Sequence, residues 1–159
     1  MMRCIPQSIF TWDFRVEGSE TGGASLSFNF FTEQGTIRYG RTQYTVHKHG
    51  PFSGEWTLDD PAGRTYARAL KTNPFTRVFE VHEPGGVFLL KAVPMLRSFD
   101  IYQNGRAVGS ICPQHFLTRA TTIDCGPALT EPGQLFCFWL AALMWRRAAR
   151  NNSSRPAGS

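Results

Sequence analysis

The chain has 159 residues, enough for a single domain around one core. A hydrophobic content of 42%, an aromatic content of 13% and a charged content of 18% exclude a disordered or fibrous chain, and 13 phenylalanines call for a core of large side chains. The net charge of +5 does not by itself mark a nucleic-acid binder, because Arg146, Arg147, Arg150 and Arg155 supply most of it at the C-terminal end, where it reads as a solvated tail behind a nearly neutral body.

The opening segment "MMRCIPQSIFTWDF" carries no apolar stretch of signal-peptide length. Cys4, Cys112, Cys125 and Cys137 show neither C-x-x-C spacing nor the density of a disulfide scaffold, so a reducing, cytoplasmic setting is expected. From about Ser25 to about Ile111 the chain alternates like strands. "SLSFNFF" (25–31) is followed by "RTQYTVHKHG" (41–50), in which Tyr44 and Val46 face one way and His47 and His49 the other. Those two histidines have a chelating spacing, but a zinc site needs a third ligand from His82, His115 or a cysteine, so two exposed histidines and no metal or cofactor are expected.

Three hairpins come next. "EWTLDDPAGRTYARAL" turns Trp56 and Leu58 inward and Glu55, Thr57 and Asp59 outward before the turn "DDPAG". "VFEVHEPGGVFLL" sets Phe79 and Val81 against Glu80 and His82, and "FDIYQNGRAVG" sets Phe99 and Ile101 against Asp100 and Tyr102. The last turns at Asn-Gly, the strongest short hairpin signal, because both turn positions require φ > 0. So many antiparallel strands leave two exposed edges, which closure into a barrel removes. A barrel much above eight strands is wider than its own side chains can fill.

Helix appears only near the end. "CGPALTEPGQ" breaks any strand, and from Leu135 to Arg150 there is neither proline nor glycine. The run Leu135 to Trp145 is apolar on every side, so protein or lipid must surround it. Its 11 residues span only about 17 Å, against about 30 Å for a bilayer core, so a buried helix is expected and a transmembrane span is not. Phe136, Phe138, Trp139, Leu140, Leu143, Met144 and Trp145 are its expected core residues. No G-x-S-x-G, G-x-G-x-x-G or P-loop pattern occurs, so an enzyme is not expected.

The segments "GEWTLDDPAGR" (54–64), "FEVHEPGGVFLLK" (79–91), "FDIYQNGRAVGSI" (99–111) and "FCFWLAALMWRR" (136–147) together resemble the tubby C-terminal-like superfamily, which includes LURP-one-related proteins and phospholipid scramblases. The resemblance implies a closed antiparallel β-barrel of about twelve strands enclosing the helix, with residues 1–150 as one domain, the helix at about 135–147 and 151–159 as a disordered polar tail. It also implies a non-enzymatic binding or adaptor domain, cytoplasmic or peripheral at a membrane surface, that engages acidic phospholipid (phosphoinositide) headgroups or a protein partner. The outward cations Lys48, Arg64, Arg68, Lys71, Arg77, Lys91 and Arg97 are the headgroup candidates. Two other readings compete: a lipocalin-like carrier of a small apolar ligand, which needs an empty interior with the helix outside, and a tail-anchored membrane protein.

Overall fold

Alternation of apolar and polar residues resolves into twelve strands in the computed structural model, which describes residues 1–115 and 117–156. The first six are β1 (Met2–Pro6), β2 (Phe14–Glu17), β3 (Ala24–Phe28), β4 (Gly35–Tyr39), β5 (Thr42–Lys48) and β6 (Glu55–Asp59). Then follow β7 (Thr65–Leu70), β8 (Val78–Glu83), β9 (Gly86–Ala92), β10 (Phe99–Gln103), β11 (Arg106–Pro113), β12 (Thr121–Cys125) and one helix, α1 (Glu131–Ser153). Every strand pairs antiparallel with its sequence neighbours, and β1 pairs β12 through Met2 with Ile123 and Cys4 with Thr121, so the sheet closes into a barrel. Among the described strands no hydrogen-bonding edge is left open.

The hairpins face as their alternation dictates. Trp56, Leu58, Phe79, Val81, Phe99 and Ile101 are buried, and the Asn-Gly turn places both Asn104 and Gly105 at positive φ. Thr57 departs from expectation: it lies on the outer face yet is buried, because His49 hydrogen-bonds its hydroxyl at 2.7 Å and the hydroxyl donates to Asp59 at 3.3 Å. His47 lies 3.6 Å from the same Asp59 carboxylate, so the two histidines serve an outer-wall polar network.

The helix occupies the barrel axis. All seven expected core residues, Phe136 to Trp145, are buried, and rings interlock across the wall: Phe138 meets Phe14 edge-on at 4.9 Å, and Trp139 stacks on Phe28 at 4.5 Å. Trp139 donates from Nε1 to the Ser27 carbonyl at 3.2 Å, beside Gly35, where a Cβ would collide with that carbonyl. A carrier barrel needs this volume empty; here the helix fills it. No helix among the described residues is long and apolar enough to cross a membrane.

The helix is longer than the expected 135–147. Residues that look like strand breakers form its first turn: Thr130 caps it by accepting from the Gly133 amide at 3.2 Å, and Pro132 occupies a position whose amide needs no helical partner. Glu83, turned inward from β8, accepts from the Thr130 hydroxyl at 2.6 Å. At the other end the helix continues through Ser153, so the start of the expected 151–159 tail is helical, and 157–159 lie outside the described residues.

Two measurements check this enclosure. Phe138→Ala should cost about 3–5 kcal/mol by urea denaturation, because the cavity would open where the helix meets the wall; a loss below about 1 kcal/mol contradicts that packing. Burial pushes the Cys4 and Cys137 thiols well up, whereas Cys112 is exposed. A thiol reagent at mildly alkaline pH should therefore modify Cys112 in the native protein and reach Cys137 only on unfolding.

Candidate functional site

In a closed up-and-down barrel, alternate connections share an end. The loops after the even-numbered strands, 18–23, 40–41, 60–64, 84–85 and 104–105, run from two to six residues and surround the start of α1, where Glu131 accepts from the Ser19 hydroxyl and Thr130 from the Tyr66 hydroxyl. Loops after the odd-numbered strands, 7–13, 29–34, 49–54, 71–77, 93–98 and 114–120, all have six or seven residues and surround its C-terminal part.

The two ends differ in chemistry. Among the described residues, nine of the eleven exposed large hydrophobic side chains sit on the loops around the C-terminal part: Ile9 and Phe10, Phe30 and Phe31, Phe52, Phe75, Met95 and Leu96, and Leu117. Every one of the six loops carries at least one. Only Met1 and Val87 lie elsewhere. Isolated exposed apolar residues are ordinary, but a closed ring of them at one mouth is not.

The loops are pinned at their bases, so the tips cannot simply fold onto the core. Arg119 donates to the Ser8 and Thr11 carbonyls, both at 2.5 Å, holding loop 7–13 beneath Ile9 and Phe10. Arg146 and Arg150 both donate to the Phe30 carbonyl, at 3.1 and 2.8 Å, holding 29–34. Lys71 donates to the Pro74 carbonyl at 3.2 Å next to Phe75, and Trp145 Nε1 to the Arg97 carbonyl at 3.0 Å below Leu96. Loop 93–98 turns through Pro94 and Met95, closed by the Leu96 amide donating to the Val93 carbonyl at 3.2 Å. Met95 occupies the position of that turn that favours glycine, with φ 64°, while its side chain is fully exposed.

Cations fill the spaces between tips. Of the headgroup candidates, Lys48, Lys71, Arg77 and Arg97 belong to this mouth. The other three do not: Arg64 pairs Asp60 at the opposite end at 3.3 Å, Arg68 pairs Glu55 on the outer wall at 3.1 Å, and Lys91 lies over the Tyr102 ring. Asp60 is held below the usual carboxylate range, chiefly by the Arg64 amide, as befits a turn residue. The structure adds Arg119, Arg146, Arg147 and Arg150. Arg146 is far from a solvated tail residue: it is 3% exposed, sits over the Phe28 ring at 5.5 Å, and donates from Nη2 to the Phe30 and Thr32 carbonyls. Burial, then the Arg150 charge, lowers its pKa, and its Nη1 has no hydrogen-bond partner.

Among the described residues, three clefts open beside the helix at this mouth: Phe10, Trp12, Asp13, Phe28, Phe30, Arg146 and Arg150 line one of about 210 Å³, and two others are lined by three cations each. One, of about 250 Å³, is lined by Lys48, Lys71 and Arg147 with Phe52 and Trp56; Glu33 bridges Lys48, at 3.5 Å, and Arg147. The other, of about 500 Å³, is lined by Arg77, Arg97 and Arg119 with Trp12 and Trp145, and no carboxylate is among its lining residues. Sequence alternation gives no clue to the arginines of loops and helix converging here. Counting loops along the meander does, since every second one carries a bulky apolar residue.

No family model, curated protein or solved structure matches the chain.

Met95→Asn should relieve a strained backbone, because asparagine accepts positive φ at lower cost. The expected result is a melting midpoint raised by about 2–4 °C in a thermal scan. A lowered midpoint would mean that Met95 contributes packing its exposure does not show.

Proposed function

We propose that the protein is a non-catalytic, peripheral membrane-binding domain that sets this mouth on an anionic lipid surface, on the cytoplasmic side where such lipids concentrate. The observation that carries the reading is the ring of apolar tips on all six loops of this mouth, with cations between them and no such ring at the opposite end among the described residues. Phenylalanine, leucine and methionine tips gain by entering the boundary between headgroups and acyl chains. Each neighbouring cation adds about 1 kcal/mol near an anionic surface.

A lipid surface suits this ring better than a protein partner. The tips stand on separate loops with arginines between them, whereas the centre of a protein interface is contiguous and depleted of charge. The barrel closed on its C-terminal helix supports the tubby-like resemblance, whose lipid-binding members favour the same reading, although fold alone does not carry function.

Vesicle sedimentation tests it. The protein should bind vesicles containing phosphatidylserine, more weakly as salt rises, and bind neutral vesicles far less. The triple variant Phe31→Ser/Phe52→Ser/Phe75→Ser should lose at least about tenfold in affinity with an unchanged melting midpoint, because all three side chains are exposed. Absence of binding at low salt overturns the reading. So would a soluble protein complex abolished by the triple variant when no vesicle is bound.

A further inference from the structure

One charged group in the interior lacks a complete set of partners. Arg146 is 3% exposed, and its Nη2 donates to the Phe30 and Thr32 carbonyls at 3.1 Å each. Its Nη1 is buried and meets no acceptor among the described residues. Leaving a donor of a charged group buried and unpaired costs more than leaving a neutral one, so this nitrogen calls for an acceptor. The cleft of about 210 Å³ lies against this side chain.

The walls of the cleft determine what the acceptor is attached to. Phe10 and Trp12 come from loop 7–13, Phe28 from the end of β3 and Phe30 from loop 29–34. Arg119 lies over the Trp12 ring at 4.7 Å, while Phe28 stacks on Trp139 at 4.5 Å and lies 5.5 Å from the Arg146 guanidinium. Trp12 and Phe28 therefore stand in place before a ligand arrives, which lowers the ordering cost of binding. Phe10 and Phe30 are largely exposed, and exposed rings change rotamer within nanoseconds, which gives a ligand its way in. Asp13, the one carboxylate among the described lining residues, accepts at Oδ1 from the Phe28 amide at 3.3 Å. Set against Arg146 and Arg150, it leaves the lining with a single net positive charge.

We propose that this cleft binds a small aromatic carboxylate, its acid group accepting from Arg146 Nη1 and its ring lying among Trp12, Phe28 and the Phe10 and Phe30 tips. A carboxylate brings one negative charge and a planar pair of acceptors suited to a guanidinium. A dianion would set its second charge against Asp13. The volume equals about seven waters at about 30 Å³ each, enough for one ring with its acid group and too small for a long acyl chain. Binding here is independent of the membrane reading, since Phe31, Phe52 and Phe75 are not among the lining residues.

Phenylacetate, titrated calorimetrically into the full chain, tests the site, with acetate, phenylacetamide and phenyl phosphate as comparators. It should bind at about 1 mM or tighter. Phenylacetamide, which keeps the ring without the charge, and acetate, which keeps the charge without the ring, should each bind at least about tenfold more weakly. Thr11→Trp fills the cleft from an exposed position and leaves the Thr11 carbonyl to Arg119, so it should abolish binding with an unchanged melting midpoint. Arg146→Lys, which keeps charge but removes the planar fork, should lose at least about tenfold. Phe31→Ser/Phe52→Ser/Phe75→Ser should bind phenylacetate as the wild type does, so failure of vesicle binding and failure of this site are read separately. No saturable heat from phenylacetate overturns the site and leaves Nη1 to a buried water. Equal affinity for phenylacetamide, tighter binding of phenyl phosphate, or binding that Thr11→Trp leaves intact each overturns it as well.

Discussion

Twelve strands closed into one ring leave a lumen that strand side chains alone cannot fill, and the rest of the structure depends on the helix that fills it. Burying an all-round apolar helix satisfies two needs at once. The wall gains a core, with Phe14, Phe28 and Phe99 meeting Phe138, Trp139 and Trp145, and the helix is removed from water without a membrane. Because the wall is closed, the helix ends must meet the two mouths, and each end imposes its electrostatics there. Glu83 and Glu131 stand at the positive N-terminal end; Arg146, Arg147 and Arg150 stand at the negative C-terminal end.

That polarity gives the mouths different work. At the capped end, short turns and the Thr130–Glu83–Tyr66 hydrogen bonds close the barrel with few apolar groups in water. At the other end, Arg146 and Arg150 reach outward and grip the backbone of loop 29–34, so the same side chains that complement the helix dipole also hold the Phe30 and Phe31 tips in solvent. Exposure of these tips is therefore a product of the loop anchoring. Met95 makes the case most plainly, since a glycine would suit its turn better and an apolar side chain gains nothing from water.

Neutralisation is uneven across that mouth. Glu33 takes up two cations on one side, and on the opposite side Arg77, Arg97 and Arg119 line a cleft with Trp12 and Trp145. Buried Arg146 carries the same imbalance inward, stabilised by loop carbonyls and the Phe28 ring in place of an acid. A buried guanidinium of this kind stays in a fold at a cost, which its carbonyl partners and the ring offset.

The hairpins at 55–70, 78–92 and 99–113, and the buried run around Phe138, were legible in the sequence because alternation, turn glycines and an all-round apolar segment each express a local rule. β1 and β12 were not, since their short runs acquire meaning only by pairing with each other across the whole length of the chain. The helix start was hidden for a related reason: "TEPGQ" looks like a breaker until Thr130 and Glu83 cap it. Of the outward cations, Lys48, Lys71, Arg77 and Arg97 converge while Arg64, Arg68 and Lys91 scatter, and which group a residue joins depends on the end of the barrel its loop reaches. Local physics in the sequence determined the strands, the turns and an apolar run too short for a bilayer. Only tertiary closure decided that six distant loops and one helix end meet, because that meeting is set by strand count and register, which no local stretch of residues contains.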